Sequence, residues 1–210
     1  MAECPQWVRP ESDEQLISVV RGLDQFHRFI SGAAASHILL HSDLKEWHGK
    51  IFRDVVPLPY YAGHYRSDDK KLPCLAIDVQ IGGHLGAPYQ EVPRLMHEHS
   101  EQMQDAIKHT DKYISSIPTY VNRSRATVQL AALYAGRFIQ IHPFLNGNGR
   151  MSRLISNYVF VRYGYPAAYY GPYPRPAAAG DYATASEACM TGNFHLLFRY
   201  LLASLAGKSV

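Results

Sequence analysis

The chain has 210 residues, of which 47% are hydrophobic and 19% charged, and its formal charge is +3 at neutral pH. That is enough apolar material for one well-filled domain, and the charge is too small to imply nucleic acid as a partner. No stretch reaches the length of a membrane span, and the N-terminus has no basic segment followed by an apolar run. Together these predict a cytoplasmic protein without a membrane partner, export as an effector being left open.

From Glu14 to Ile30 apolar residues recur at helical spacing, with Ser12 as N-cap. Ser42 is the expected cap of a second helix, whose face carries Leu44, Trp47, His48, Ile51 and Phe52 and which should stop before Pro57 and Pro59. Between Tyr60 and Pro88 glycines punctuate short extended stretches, and Leu75, Ile77, Val79 and Ile81 alternate as in one strand of a small β-hairpin. Pro93 suits the first turn of a third helix running to about His109. Ala126 to Ile141 is almost entirely apolar, which predicts the central, buried helix. Met151 to Val161 resumes the helical period until Gly164 and Pro166. A loop rich in proline, glycine and tyrosine follows, and Tyr182 to Leu205 reads as a single last amphipathic helix. The expected class is therefore mainly α, a helical bundle with one small β-hairpin. Residues 1–40 form an N-terminal helical extension and residues 41–206 the principal domain. The three cysteines, Cys4, Cys74 and Cys189, are odd in number and lack the spacing of a disulfide framework or zinc site, which points to a reducing compartment.

The chemistry concentrates in HPFLNGNGR, residues 142–150. His142 closes the buried helix, and Gly147, Asn148 and Gly149 open the next. A helix N-terminus presents unpaired N–H groups and a partial positive charge, so it favours an anion. Glycines keep Cβ atoms away from that backbone and permit the turn of an N–H nest. Arg150 and Arg153 follow three residues apart on one helix face, and two guanidinium forks beside a nest suit a polyphosphate. Histidine is the side chain best matched to proton abstraction near neutral pH.

HPFLNGNGR resembles the signature of the Fic family, HPFx(D/E)GN(G/K)R, at every fixed position except the acidic one. YAGHYR at 61–66 and VQIGGHLGAPYQEVPRLM at 79–96 are similar to the family's flap and the helix after it. GRMSRLISNYVFVRYGYP is similar to its GRxxR helix and terminal turn. The resemblance covers roughly residues 40 to 205 and implies a Fic-type helical bundle with a β-hairpin flap. It also implies transfer of AMP from ATP to a hydroxyl side chain of a target protein, with His142 as general base. Gly147, Asn148 and Gly149 would form the phosphate nest, Arg150 and Arg153 would meet the outer phosphates, and Tyr182 would lie near the adenine. Phe144 would anchor the loop in the core. The target would lie along the flap, within residues 60–86, as an added strand. Gly149, where Doc-type toxins carry lysine, favours nucleotidyl transfer over transfer of a terminal phosphate.

Position 146 departs from the pattern. The family's acidic residue holds Mg²⁺, and Asn146 in its place would hold Mg²⁺ or Mn²⁺ only weakly. A nucleotide-binding regulator with weak or no catalysis, or transfer of another phosphate-containing group, is the alternative reading. Ser42 to Glu46 has the spacing of the family's inhibitory (S/T)xxxE(G/N) helix but reads as an ordinary capped helix, so either a separate inhibitor protein exerts control or the low charge at Asn146 makes restraint unnecessary. Elsewhere, His97 and His99 are two residues apart on a helix and do not face one ion, which predicts a solvated polar face. The tyrosines of AYYGPYP read as an ordinary packed loop.

Overall fold

A computed structural model of the protein describes residues 4–7, 12–116, 119–167 and 181–206. Helix α1 (Asp13–Ala33) begins at a reciprocal cap: the Ser12 hydroxyl accepts from the Gln15 N–H and the Gln15 side chain accepts from the Ser12 N–H. Helix α2 (His41–Phe52) starts one residue ahead of the expected Ser42 cap. The Asp43 carboxylate accepts from the Leu40 N–H at 2.8 Å, and a carboxylate in the first turn also suits the helix dipole.

Helix α3 (Val92–Ser116) runs past the expected His109 because Ile114, on its buried face, still reaches the core. Helix α4 (Tyr120–Ile141) begins before the expected Ala126. In its polar first turns the Ser124 and Thr127 hydroxyls donate to the carbonyls of Tyr120 and Arg123, one turn back. Helix α5 is Asn148–Arg162. The single last helix expected from the periodicity is two, α6 (Asp181–Met190) and α7 (His195–Leu205). Gly192, at φ 80°, turns the chain between them. The tyrosine-rich stretch AYYGPYP, residues 168–174, lies outside the described residues.

The hairpin is shorter than the alternation suggested: β1 (Gln80–Ile81) pairs antiparallel with β2 (His84–Leu85), Gln80 opposite Leu85 and Ile81 opposite His84. Leu75 lies instead in a 3₁₀ turn, Pro73–Leu75, packed with Tyr61 and Cys74 in a small core of its own. The strand cannot extend toward it because side chains take the backbone groups a ladder would use. The Ile77 carbonyl accepts from Arg66, and Asp78 accepts from the Tyr89 N–H.

Helix α4 is the centre of the bundle, packed by α3, α5, α6 and α7, and Val128, Ala131, Ala135 and Phe138 on it are fully buried. Helix α1 lies on α2 and α5, and its Val19, Leu23, Phe26 and Ile30 join the same core. No helix among the described residues is long and apolar enough to cross a membrane.

The expectation of three reduced cysteines is corrected. Cys4 and Cys74 form a disulfide across 70 residues of sequence, and the remaining Cys189 is free and buried. The pairing depends on the N-terminal segment folding back across the domain, which sequence spacing does not encode. Disulfides persist in oxidising surroundings, so the cysteines no longer argue for a reducing compartment.

Candidate active site

His142 ends α4 in the left-handed region, at φ 53° and ψ 59°, and among the described non-glycine residues it alone has a positive φ. That conformation costs a side chain about 1–2 kcal/mol, so something must hold it. The His142 N–H donates to the Phe138 carbonyl, and the His142 carbonyl accepts from Arg66 Nε at 2.9 Å. The Arg66 N–H donates to the Pro143 carbonyl at 2.8 Å, so one residue pins both sides of the turn. The same guanidinium donates to the carbonyls of Ile77, Ala87 and Ile141, which ties the flap to the loop. Arg66 is fully buried, with Asp78 3.8 Å away. Burial draws its pKa down to about 10, still well above neutrality, while Asp78 opposes the shift.

The imidazole is oriented by a second carbonyl. His142 Nδ1 lies 3.2 Å from the Ile139 oxygen, which has no proton to give, so Nδ1 carries the hydrogen and Nε2 presents a lone pair. Desolvation pushes the His142 pKa down to about 4; the bond to Ile139 opposes this, and the Arg66 charge adds to it. The group is therefore neutral at pH 7, the form that accepts a proton. Negative phosphate charge beside it raises its basicity.

The loop after it is shaped from behind. Phe144 is fully buried and stacks on His48, ring centroids 3.6 Å apart. His48 on α2 accepts the Gly63 N–H at Nδ1, so its Nε2 carries the hydrogen and donates to the Asn146 carbonyl at 3.0 Å. Asn148 closes the loop with its side chain, which accepts the Phe144 N–H and donates to the Phe144 carbonyl. Gly147 has φ 83°, and a Cβ there would stand 2.7 Å from Phe52 and 3.1 Å from His48 Nε2. Gly149 is different, since a Cβ there would meet only Arg153, at 3.8 Å.

Arg150 and Arg153 are buried rather than solvated: Arg150 lies over the Phe52 ring and Arg153 over the Tyr182 ring. The Tyr182 hydroxyl donates to the Gly149 carbonyl at 3.4 Å, and its ring packs on Tyr200. His142, Asn146, Gly147, Asn148, Gly149, Arg150, Arg153 and Tyr182 thus all gather at the start of α5. Two functional residues were missed. His48 read as one more residue of a helix face, although an imidazole among Leu44, Trp47, Ile51 and Phe52 was the available signal. Arg66 lay in YAGHYR without a role, and nothing local marks an arginine that will be buried.

Asn146 does not behave as a metal ligand. Its Oδ1 accepts the Gly147 N–H at 2.8 Å and its Nδ2 donates to the Trp7 carbonyl at 3.3 Å. The loop 142–150 contains no carboxylate, and no metal-holding group of three His, Cys, Asp or Glu occurs among the described residues. These donors do not fit a magnesium site of the expected kind. The expected solvated face at His97 and His99 holds for His97 alone, because His99 is buried and donates to the Tyr134 carbonyl from Nε2. Glu46 pairs with Lys50 on the surface of α2, as an ordinary helix would have it.

A family model described as the Fic/DOC family matches residues 38–160. The protein adenylyltransferase Fic of Drosophila erecta is 26% identical over 148 residues, 70% of this chain and 25% of that protein. The corresponding protein of Drosophila melanogaster gives the same identity and coverage. The chain therefore spans about a quarter of the length of the curated relatives it matches. Solved structures share the fold. Fic-1 of C. elegans is 21% identical with a TM-score of 0.65, over 95% of this chain and 52% of that one. A Fic domain containing signaling protein from Bacteroides thetaiotaomicron is 21% identical with a TM-score of 0.59, over 97% and 78%. BepC, a VirB-translocated effector from Bartonella tribocorum with bound AMPPNP, is 14% identical with a TM-score of 0.61, over 91% and 86%.

Proposed function

Because the chain belongs to the Fic/DOC family, we propose that it is a protein adenylyltransferase that moves AMP from ATP to a hydroxyl side chain of a target protein. The observation that carries this reading is His142: a neutral imidazole with Nδ1 committed to the Ile139 carbonyl and Nε2 left as acceptor, at the edge of a helix N-terminus. The target hydroxyl oxygen attacks the α-phosphorus, and its proton passes to Nε2. The bond from that phosphorus to the bridging oxygen breaks, and pyrophosphate leaves. Backbone N–H groups of Gly147, Asn148 and Gly149 and the guanidinium groups of Arg150 and Arg153 balance the phosphate charge. ATP as donor is supported by the Drosophila relatives, which are named adenylyltransferases, and by the AMPPNP bound to the Bartonella protein. Gly149 in place of a lysine supports nucleotidyl transfer. The flap supplies the docking edge for the target, with Ile77 and Leu85 exposed along it.

The test is transfer of label from α-labelled ATP to protein. His142→Ala should abolish transfer while ATP affinity stays within about threefold, since the imidazole acts on the transition state. Label transfer by His142→Ala equal to that of the native protein would overturn the assignment of the base. Asn146, committed to Gly147 and Trp7, favours one second reading, a nucleotide-binding regulator with little turnover. That reading predicts ATP binding that weakens in Arg150→Ala, with no label transfer by the native protein.

A further inference from the structure

Residues 4–7 lie far from the loop in sequence, yet they contact the flap region, α2 and the loop itself. Cys4 is bonded to Cys74 beside the flap. The Tyr61 hydroxyl donates to the Pro5 carbonyl at 2.9 Å. Trp7 sets its ring edge-on against Phe52 and His48, at 5.6 and 6.0 Å between centroids. These are the two side chains that a Cβ on Gly147 would strike. The Trp7 carbonyl accepts from Asn146 Nδ2.

We propose that this segment is a disulfide-anchored strap that holds the 142–150 loop closed through Asn146, and that reduction of Cys4–Cys74 releases it. The proposal rests on the reading of that loop as a phosphate site. The strap fixes the amide nitrogen of Asn146, which leaves Oδ1 on the Gly147 N–H, so the first donor of the nest is satisfied by the protein itself. A phosphate that uses this donor must displace Oδ1 and break the contact with Trp7. An aspartate at 146 would set an oxygen against the Trp7 carbonyl, so the strap requires the amide. This gives the departure from an acidic residue a physical reason. The docked position also carries a cost, because Trp7 Nε1 is buried and finds no acceptor. The covalent tether sustains it.

Cys4 is exposed, so the chemistry is open to a small dithiol. The thiolate of the reagent attacks the Cys4 sulfur, and the Cys74 thiolate leaves and takes up a proton. The second thiol of the reagent then displaces Cys4 as a thiol. Two electrons pass to the cystine and the reagent becomes its own disulfide.

The experiment uses the full chain, purified without reductant and compared with the same protein after dithiothreitol. Amide hydrogen exchange is followed in peptides spanning 145–150, and ATP affinity is measured by calorimetry. A closed state that leaves the open one a tenth populated predicts exchange and ATP affinity both rising about tenfold on reduction. Cys74→Ser and Trp7→Ala should show the same rise without dithiothreitol. Unchanged exchange at 145–150 once both sulfurs react with an alkylating agent would overturn the strap, as would free Cys4 and Cys74 thiols in the unreduced protein. Faster exchange with no ATP binding in either state would uphold the strap and refute the transferase reading. Label transfer that is the same before and after reduction, with exchange also unchanged, would refute the strap and leave the transferase reading standing.

Discussion

Arg66 should tolerate methionine better than lysine. Its guanidinium donates to four carbonyls, those of His142, Ile77, Ala87 and Ile141, and the residue is fully buried. The Ile141 carbonyl keeps a second donor, the Ala87 N–H, so methionine strands three acceptors, which costs about 1–2 kcal/mol each. Against that, the arginine pKa drawn from 12.5 to about 10 means that its charge is held at an expense of about 3 kcal/mol, and methionine removes that expense. The net loss for Arg66→Met is then about 2 kcal/mol. Arg66→Lys keeps a buried charge but replaces a planar fork with a point donor that cannot span four carbonyls, so the expected loss is about 4 kcal/mol. Urea denaturation at pH 7, followed by circular dichroism, gives both values. A lysine variant as stable as the methionine variant would refute the claim that fork geometry, rather than charge, is what the carbonyls need. Both variants should also lose label transfer more than ATP affinity, because the His142 turn relaxes while the start of α5 stays in place.

Gly147→Ala should lose about 2–4 kcal/mol, combining a side chain at φ 83° with a Cβ 2.7 Å from Phe52, which for a chain of this size lowers Tm by roughly 6–12 °C. A scan within about 2 °C of the native protein would show that the loop moves aside freely. His99 supplies a pH test: burial pushes its pKa down to about 4, its bond to Tyr134 and the Arg137 charge acting in opposite senses, while the unfolded chain titrates near 6.5. A folded pKa below the unfolded one leaves stability intact above 6.5 and removes it as pH falls from 6.5 towards 4, about 2.5 kcal/mol at pH 4.5. His99→Met should flatten the urea midpoint profile between pH 7 and 4.5 by that amount, and parallel profiles would refute the assignment.

How far the sequence foretold these features depends on the range of the interactions. The helices were legible because their apolar period is local, and α4 in particular announced its burial by having almost no polar face. The motif loop was legible for the same reason, since His142 to Arg150 act within nine consecutive residues. What was missed is non-local. With Asp43 accepting from the Leu40 N–H, the N-cap falls at Leu40, two residues before Ser42. The alternation from Leu75 to Ile81 was real, but Arg66 and Asp78 took backbone groups that a strand would have paired. Cys4 and Cys74 carried no spacing signal, and the tie between Trp7 and Asn146 spans 139 residues.

The site is built less from side chains facing a ligand than from side chains holding main chain. Arg66 fixes the carbonyls of His142 and Pro143, the latter through its own N–H, and His48 fixes the carbonyl of Asn146. Each of these clamps also holds the flap region: Arg66 through Ile77 and Ala87, His48 through the Gly63 N–H. The flap and the loop are therefore two ends of the same hydrogen-bonded unit. A segment added along the flap edge bears on the carbonyls that set the His142 turn, and an anion at the start of α5 bears on the His48 bond to Gly63. The flap edge and the start of α5 are therefore coupled through Arg66 and His48, and the segment at Trp7 joins that unit through Asn146.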